Sequence, residues 1–299
     1  LYTATRVQTE ATARKFRLFT LLTVLIFALH PTATYAVAYL VQRSTLMAML
    51  FCVLAMLSYV HACARGSIFW QWVTVPLYYF AVLSKEHAIM LPAVLVTLNV
   101  LMHQDWRAAL KKQAGVFVCL MLIAIWVIAS KKYLIGAIYE PTAAAMLEGQ
   151  DVPYLMSVLT QAGLFFKYVF LWLVPNSAWM SADMREPFAQ VFFSRHGLAA
   201  GLFLLWGGSG AYLLLKRRRA GVVGFAMLYP WLMFLTEFST VRVQEVFVLY
   251  RSYLWMPLIL CAIPVLISQF RGPLPSVVAL LCALAMIPMS LERLAVFSP

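Results

Sequence analysis

The stretch "HPTATYAVAYLVQRSTLMAMLFCVLAMLSYVHACAR", residues 30–65, decides the fold. It starts polar and aromatic, reaches one arginine, and then runs apolar for about 20 residues, enough to cross a hydrocarbon core about 30 Å thick. Runs of this kind recur along the whole chain. Of 299 residues 64% are hydrophobic and only 11% charged, and the mean hydropathy is +0.85. A soluble globular chain is nearer half apolar and a quarter charged. Ten-residue alternating segments, the mark of a membrane barrel, are missing. The fold class expected is therefore all-α, a polytopic integral membrane protein.

Working outward, the apolar runs predict nine spans, at about 17–30, 36–64, 70–84, 88–103, 115–130, 198–215, 221–238, 252–269 and 275–291. Residues 131–197 form a long outer-face region. Within it "LTQAGLFFKYVFLWLVP" (159–175) is apolar but carries Lys167 in its middle. If it crossed, "KRRRAG" (216–221) would lie outside, against the positive-inside tendency. It is therefore read as an interfacial or re-entrant helix, which its aromatic content suits.

Charge follows from this topology. The net charge of +12 does not indicate nucleic acid, because the basic residues are spread through short loops between spans. With 159–175 at the interface, Arg65, Arg107, Lys111, Lys112 and Lys216–Arg219 all fall inside, and Glu10 and Asp105 are the only acids there. The outer face is nearly balanced and rich in aromatics, so chemistry is expected there. The five cysteines lie in or beside apolar runs without metal spacing, and read as small packing residues. No metal site is expected and no cofactor motif is present: neither GxxxxGK[ST] nor GxGxxG occurs. The opening "LYTATRVQTE" has neither an initiating Met nor an apolar signal core, so earlier helices are expected upstream of Leu1 or on another chain.

Four clusters stand at outer span ends. After His30 and Pro31, residues Tyr35, Tyr39 and Arg43 are four apart, which on a continuous helix places them on one face. The Arg43 guanidinium fork suits phosphate oxygens; the alternative is an aromatic belt with a snorkelling arginine. "SKEH" (84–87) joins two short spans and puts Lys85 and Glu86 near membrane depth, where ionisable groups point to function. "WMSADMREPF" (179–188) offers Asp183 and Glu186 as candidate bases. "VRVQEVFVLYRSYLW" (241–255) offers Arg242, Glu245 and Arg251. Four cations on one face, Arg43, Lys85, Arg242 and Arg251, suggest an anionic lipid-linked ligand. The carboxylates Glu86, Asp183, Glu186 and Glu245 suggest contacts to hydroxyls, and His30, Tyr35 and Tyr39 would line the substrate.

The order His-Pro, Gln-Arg-Ser, Leu-Ser-Lys-Glu and a Pro-containing apolar helix resembles the bacterial relatives of the transmembrane and tetratricopeptide-containing O-mannosyltransferases. "FFKYVFLWLVPNSAWMSADMREPF" and "VLYRSYLWMPLIL" resemble later segments of that family. The resemblance implies one GT-C-like transmembrane domain over 1–299. It implies a polyprenyl-phosphate-linked sugar as donor and a protein or glycan hydroxyl as acceptor, on the periplasmic side of a bacterial inner membrane. Carried over, Arg43 and Lys85 bind the carrier phosphate while Glu86 and Asp183 line the sugar or acceptor site. The main catalytic base of such enzymes is expected upstream of Leu1, and metal dependence stays open. Tyr35 departs from the family, many of whose members carry Glu there, and the tetratricopeptide region is absent after the last span. A non-catalytic subunit that scaffolds other membrane subunits is therefore the alternative. A lipid-linked glycan transporter ranks last, because the charges cluster at span ends.

Overall fold

A computed structural model describes residues 10–130, 154–180, 184, 186–191, 195–239, 246–268, 270 and 272–297. Apart from an isolated antiparallel bridge between Met184 and Phe247, the regular elements among these residues are helical. The protein is an all-α membrane protein. Five helical segments are long and apolar enough to cross a bilayer, or up to seven if each of two sharply bent pairs counts as one. The expectation of nine spans is corrected accordingly.

The elements follow from local signals. α1 (Glu10–Ala28) stops before Pro31, and α2 (Pro31–Ala38) restarts from it. Proline at the first helical position loses no hydrogen bond the helix needs, and His30 caps the new helix by accepting from the Thr32 amide. The axis bends 57° at this break. α3 (Arg43–Arg65) ends on Gly66, whose φ of 65° turns the chain so that the Ser67 amide closes back on the Ala62 carbonyl at 3.1 Å, a conformation that costs a glycine nothing. α4 (Ile68–Ser84) and α5 (Leu91–Met102) follow, with a 3₁₀ turn at Glu86–Met90 between them. α6 (Trp106–Lys112), capped by Asp105, meets α7 (Ala114–Ser130) at a 72° bend. Then come α8 (Tyr154–Leu173), α9 (Arg195–Lys216), α10 (Arg218–Phe234), α11 (Ala262–Ile267) and α12 (Leu274–Ala295).

The miscounted spans have a simple cause. α4 has only 17 residues, about 26 Å at 1.5 Å per residue. The expected span at 252–269 is broken into 3₁₀ turns and the six-residue α11, with Pro257 and Pro264 removing amide donors. By length α8 qualifies as a span, yet both its ends touch one end of the bundle. The Tyr154 hydroxyl donates to the Phe238 carbonyl, and Trp172 Nε1 donates to Ser252 Oγ at 2.9 Å. Phe238 and Ser252 adjoin Glu237 and Arg251, which contact each other.

Two helical hairpins form the densest packing: α3 on α4, and α9 on α10. The α9–α10 turn is Arg217 alone. Gly210 and Gly224 let these backbones approach so closely that a methyl group at 224 would lie 2.4 Å from the Leu214 nitrogen. Such small-residue contacts are how apolar helices associate in lipid, where water expels nothing. At the opposite end of the bundle from α8, the buried polar side chains of Tyr59, Asn99 and Gln113 bond to one another. Gln113 and Cys63, and Arg217 and Gln104, are also in contact there. Arg65, Arg107, Lys111, Lys112 and Lys216–Arg219 therefore share one basic end, as the loop charges imply.

Candidate functional site

The opposite, mixed-charge end carries the expected clusters. The Lys85–Glu86 turn follows α4 and is half-buried. Directly after it, His87 is buried, and its Nε2 lies 2.7 Å from Oε1 of Glu237. The second Glu237 oxygen is 3.6 Å from the Arg251 guanidinium. Glu237 and Arg251 are 3% and 4% exposed. Glu86, 39% exposed, stands 3.6 Å from His87 Nδ1, beyond hydrogen-bond length. Trp255 packs beside His87 at a ring separation of 6.0 Å, and its indole N–H is buried without a partner among the described residues. An acid, an imidazole and a guanidinium thus lie beside the half-buried Glu86. Burying such a set is costly unless its members satisfy each other, which singles the cluster out as a candidate site.

Glu237 has no place among the residues singled out from sequence. Its signal was legible, a lone carboxylate at the end of the apolar run "AMLYPWLMFLTEF", but its partner His87 is 150 positions away. Lys167 likewise finds its partner only in the fold. It bonds Glu186 and lies 4.4 Å over the Phe247 ring, which accounts for a charge in the middle of α8. Glu186 is engaged there as an ion-pair partner.

The aromatic stripe is corrected. Tyr35, Tyr39 and Arg43 do not lie on one helix, because α2 ends at Ala38 and Tyr39 is extended, with φ −81° and ψ 95°. Tyr35 is 2% exposed, edge-on to Phe297 and against the Arg293 guanidinium. Tyr39 remains open to solvent or lipid beside Tyr250, at 6.1 Å. Arg43 is exposed in the first turn of α3. His30, expected to line the substrate, makes structural contacts with both ring nitrogens. Its Nδ1 accepts from the Thr32 amide, which leaves Nε2–H to donate to the Trp172 carbonyl at 3.1 Å. Its ring stacks on the Trp172 indole. Both nitrogens are used and the side chain is buried.

Asp183, Arg242 and Glu245 lie outside the described residues. The segment Leu249–Leu254, which carries Arg251, packs on both α2 and α3. The Glu86–Met90 turn also touches α3 and the Leu235–Ser239 turn that carries Glu237. Arg43, Lys85, Glu86 and Arg251 therefore belong to neighbouring elements. Among the described residues no three His, Cys, Asp or Glu side chains converge as a metal-ligand set. No family model, curated protein or solved structure matches the chain, so its function is argued from its own residues.

Proposed function

We propose that the chain is the membrane-embedded part of a glycosyltransferase of the GT-C type. It would move a sugar from a polyprenyl-phosphate carrier to a protein or glycan hydroxyl, on the periplasmic side of a bacterial inner membrane. The observation that carries this reading is the His87–Glu237–Arg251 cluster beneath the Lys85–Glu86 turn. The motif order read from the sequence adds to it. In this reading α8 is the re-entrant helix that closes the mixed-charge end.

The chemistry assigns each group a task. Exposed Arg43 and half-buried Lys85 hold the carrier phosphate, with Arg251 adding positive potential from below. The acceptor oxygen attacks the anomeric carbon, and the bond from that carbon to the phosphate oxygen breaks. The electron pair leaves with the phosphate, where cations stabilise it. Glu86 or Asp183 accepts the hydroxyl proton. Arg242 and Glu245 are assigned to the phosphate and to hydroxyls from the sequence alone.

The test is transfer from radiolabelled polyprenyl-phosphate mannose to acceptor proteins in membranes. Arg43→Ala should abolish transfer while the purified variant elutes from gel filtration as the parent does. Full activity in that variant removes the phosphate role. A second reading, a scaffolding subunit, is favoured by Tyr35: where the resembling family often carries Glu, this side chain is a buried packing group on Phe297. Membranes in which the intact chain transfers nothing, yet other membrane subunits co-purify with it, would support that reading.

A further inference from the structure

The basic end holds a second candidate site, independent of the glycosyltransferase reading. A cleft of about 610 Å³ opens there, lined by Cys63, Gln71, His103, Gln104, Lys112 and Gln113 among others. Its size falls in the range of small-ligand sites. The polar lining is unlike the lipid-facing helices around it. His103 lines the cleft, and its Nε2 has no hydrogen-bond partner among the described residues. Asp105 also lines the cleft, but its carboxylate already accepts from the Ala108 amide at 3.0 Å as the cap of α6. Lys112 is exposed at its edge. Arg217 is held at the rim by donating to the Gln104 carbonyl at 2.6 Å, and Arg65 at the end of α3 and Arg107 and Lys111 on α6 stand at the same end.

We propose that this cleft binds a phosphate-bearing headgroup. Lys112 supplies the charge, the His103 Nε2–H and the Gln71 amide supply directed donors, and the surrounding arginines draw the anion in. Basic pockets between membrane helices suit anionic headgroups for this reason. The lipid of the adjoining leaflet is the favoured source, since the cleft lies at the basic end of a chain whose helices are long and apolar enough to cross a bilayer. A soluble phosphate shares the same chemistry.

The test uses the purified full chain in detergent, with native mass spectrometry and melting temperature as readouts. The probes are phosphatidylglycerol, phosphatidylcholine and inorganic phosphate. Phosphatidylglycerol should be retained and raise the melting temperature, and phosphatidylcholine should do neither. Lys112→Gln and His103→Gln should each weaken the phosphatidylglycerol response roughly fivefold. Lys216→Gln, at the same end but outside the cleft lining, should leave it unchanged. A Lys112-dependent response to inorganic phosphate that lipid does not exceed supports the site with a soluble source. Equal losses in Lys112→Gln and Lys216→Gln indicate only surface attraction and overturn the proposal. So does an equal response to the two lipids, or no response to any probe.

Discussion

Gly224→Ala should be among the most damaging one-methyl changes in this chain. A Cβ there would stand 2.4 Å from the Leu214 nitrogen, 2.6 Å from the Gly210 oxygen and 2.9 Å from the Leu213 carbonyl carbon. All three are backbone atoms of α9, so no side chain can rotate away. Restoring ordinary contact near 3.5 Å requires α9 and α10 to part by about 1 Å, which loosens dispersion contacts along the hairpin. Overpacking costs about 1–3 kcal/mol, and a backbone obstacle places this case near the top. At 2–4 °C per kcal/mol, the melting temperature should fall by roughly 6–12 °C. The control is Gly208→Ala on α9, where a Cβ meets nothing within 4 Å. That change should be neutral or gain up to about 1 kcal/mol from better helix propensity. Both variants are read by thermal unfolding in detergent, followed by gel filtration. If the two melt within 1 °C of each other, the close approach of the backbones does not hold the hairpin together.

Two further outcomes follow from other contacts. Glu237→Ala removes a buried carboxylate that contacts both His87 and Arg251, so it should cost about 3–5 kcal/mol; an Arg251→Met, Glu237→Leu double variant should recover much of that in the same melting assay. Gly66→Ala meets no atom within 4 Å yet must hold φ at 65°, so its cost of about 1–2 kcal/mol is purely conformational, and the matching Gly66→Asn should be milder because Asn tolerates that region.

Much of the architecture was legible in the sequence because lipid imposes few, strong constraints. Pro31 and Gly66 mark element ends in the chain as they do in space, and the basic loops share one end. What was not legible turned on tertiary contacts. No proline or glycine in "AVAYLVQ" announces the end of α2; the break comes where Tyr39 turns toward Tyr250 and Phe297. Run length hides bends, so residues 106–130 read as a loop and a span but fold as two helices at 72°. In the candidate site Lys85, Glu86 and Arg251 were visible as charges beside apolar runs. Glu237 was equally visible as a carboxylate ending an apolar run, but its pairing with His87, 150 positions away, joins residues that no local pattern connects.

The buried Tyr59–Asn99–Gln113 contact bears on how the chain assembles. Smooth apolar helices in a bilayer can slide past one another by a turn with little loss, because lipid tails replace whatever contacts are broken. A hydroxyl and two amides that can satisfy one another in only one alignment act as a detent against such sliding. Gln113 is the last of the three to be synthesised. Before it arrives, α3 and α5 share the direct bond from the Asn99 amide to the Tyr59 hydroxyl at 2.8 Å. The turn before α7 then adds the Gln113 carbonyl oxygen as an acceptor for both, so a single glutamine closes a registration that two helices have already begun.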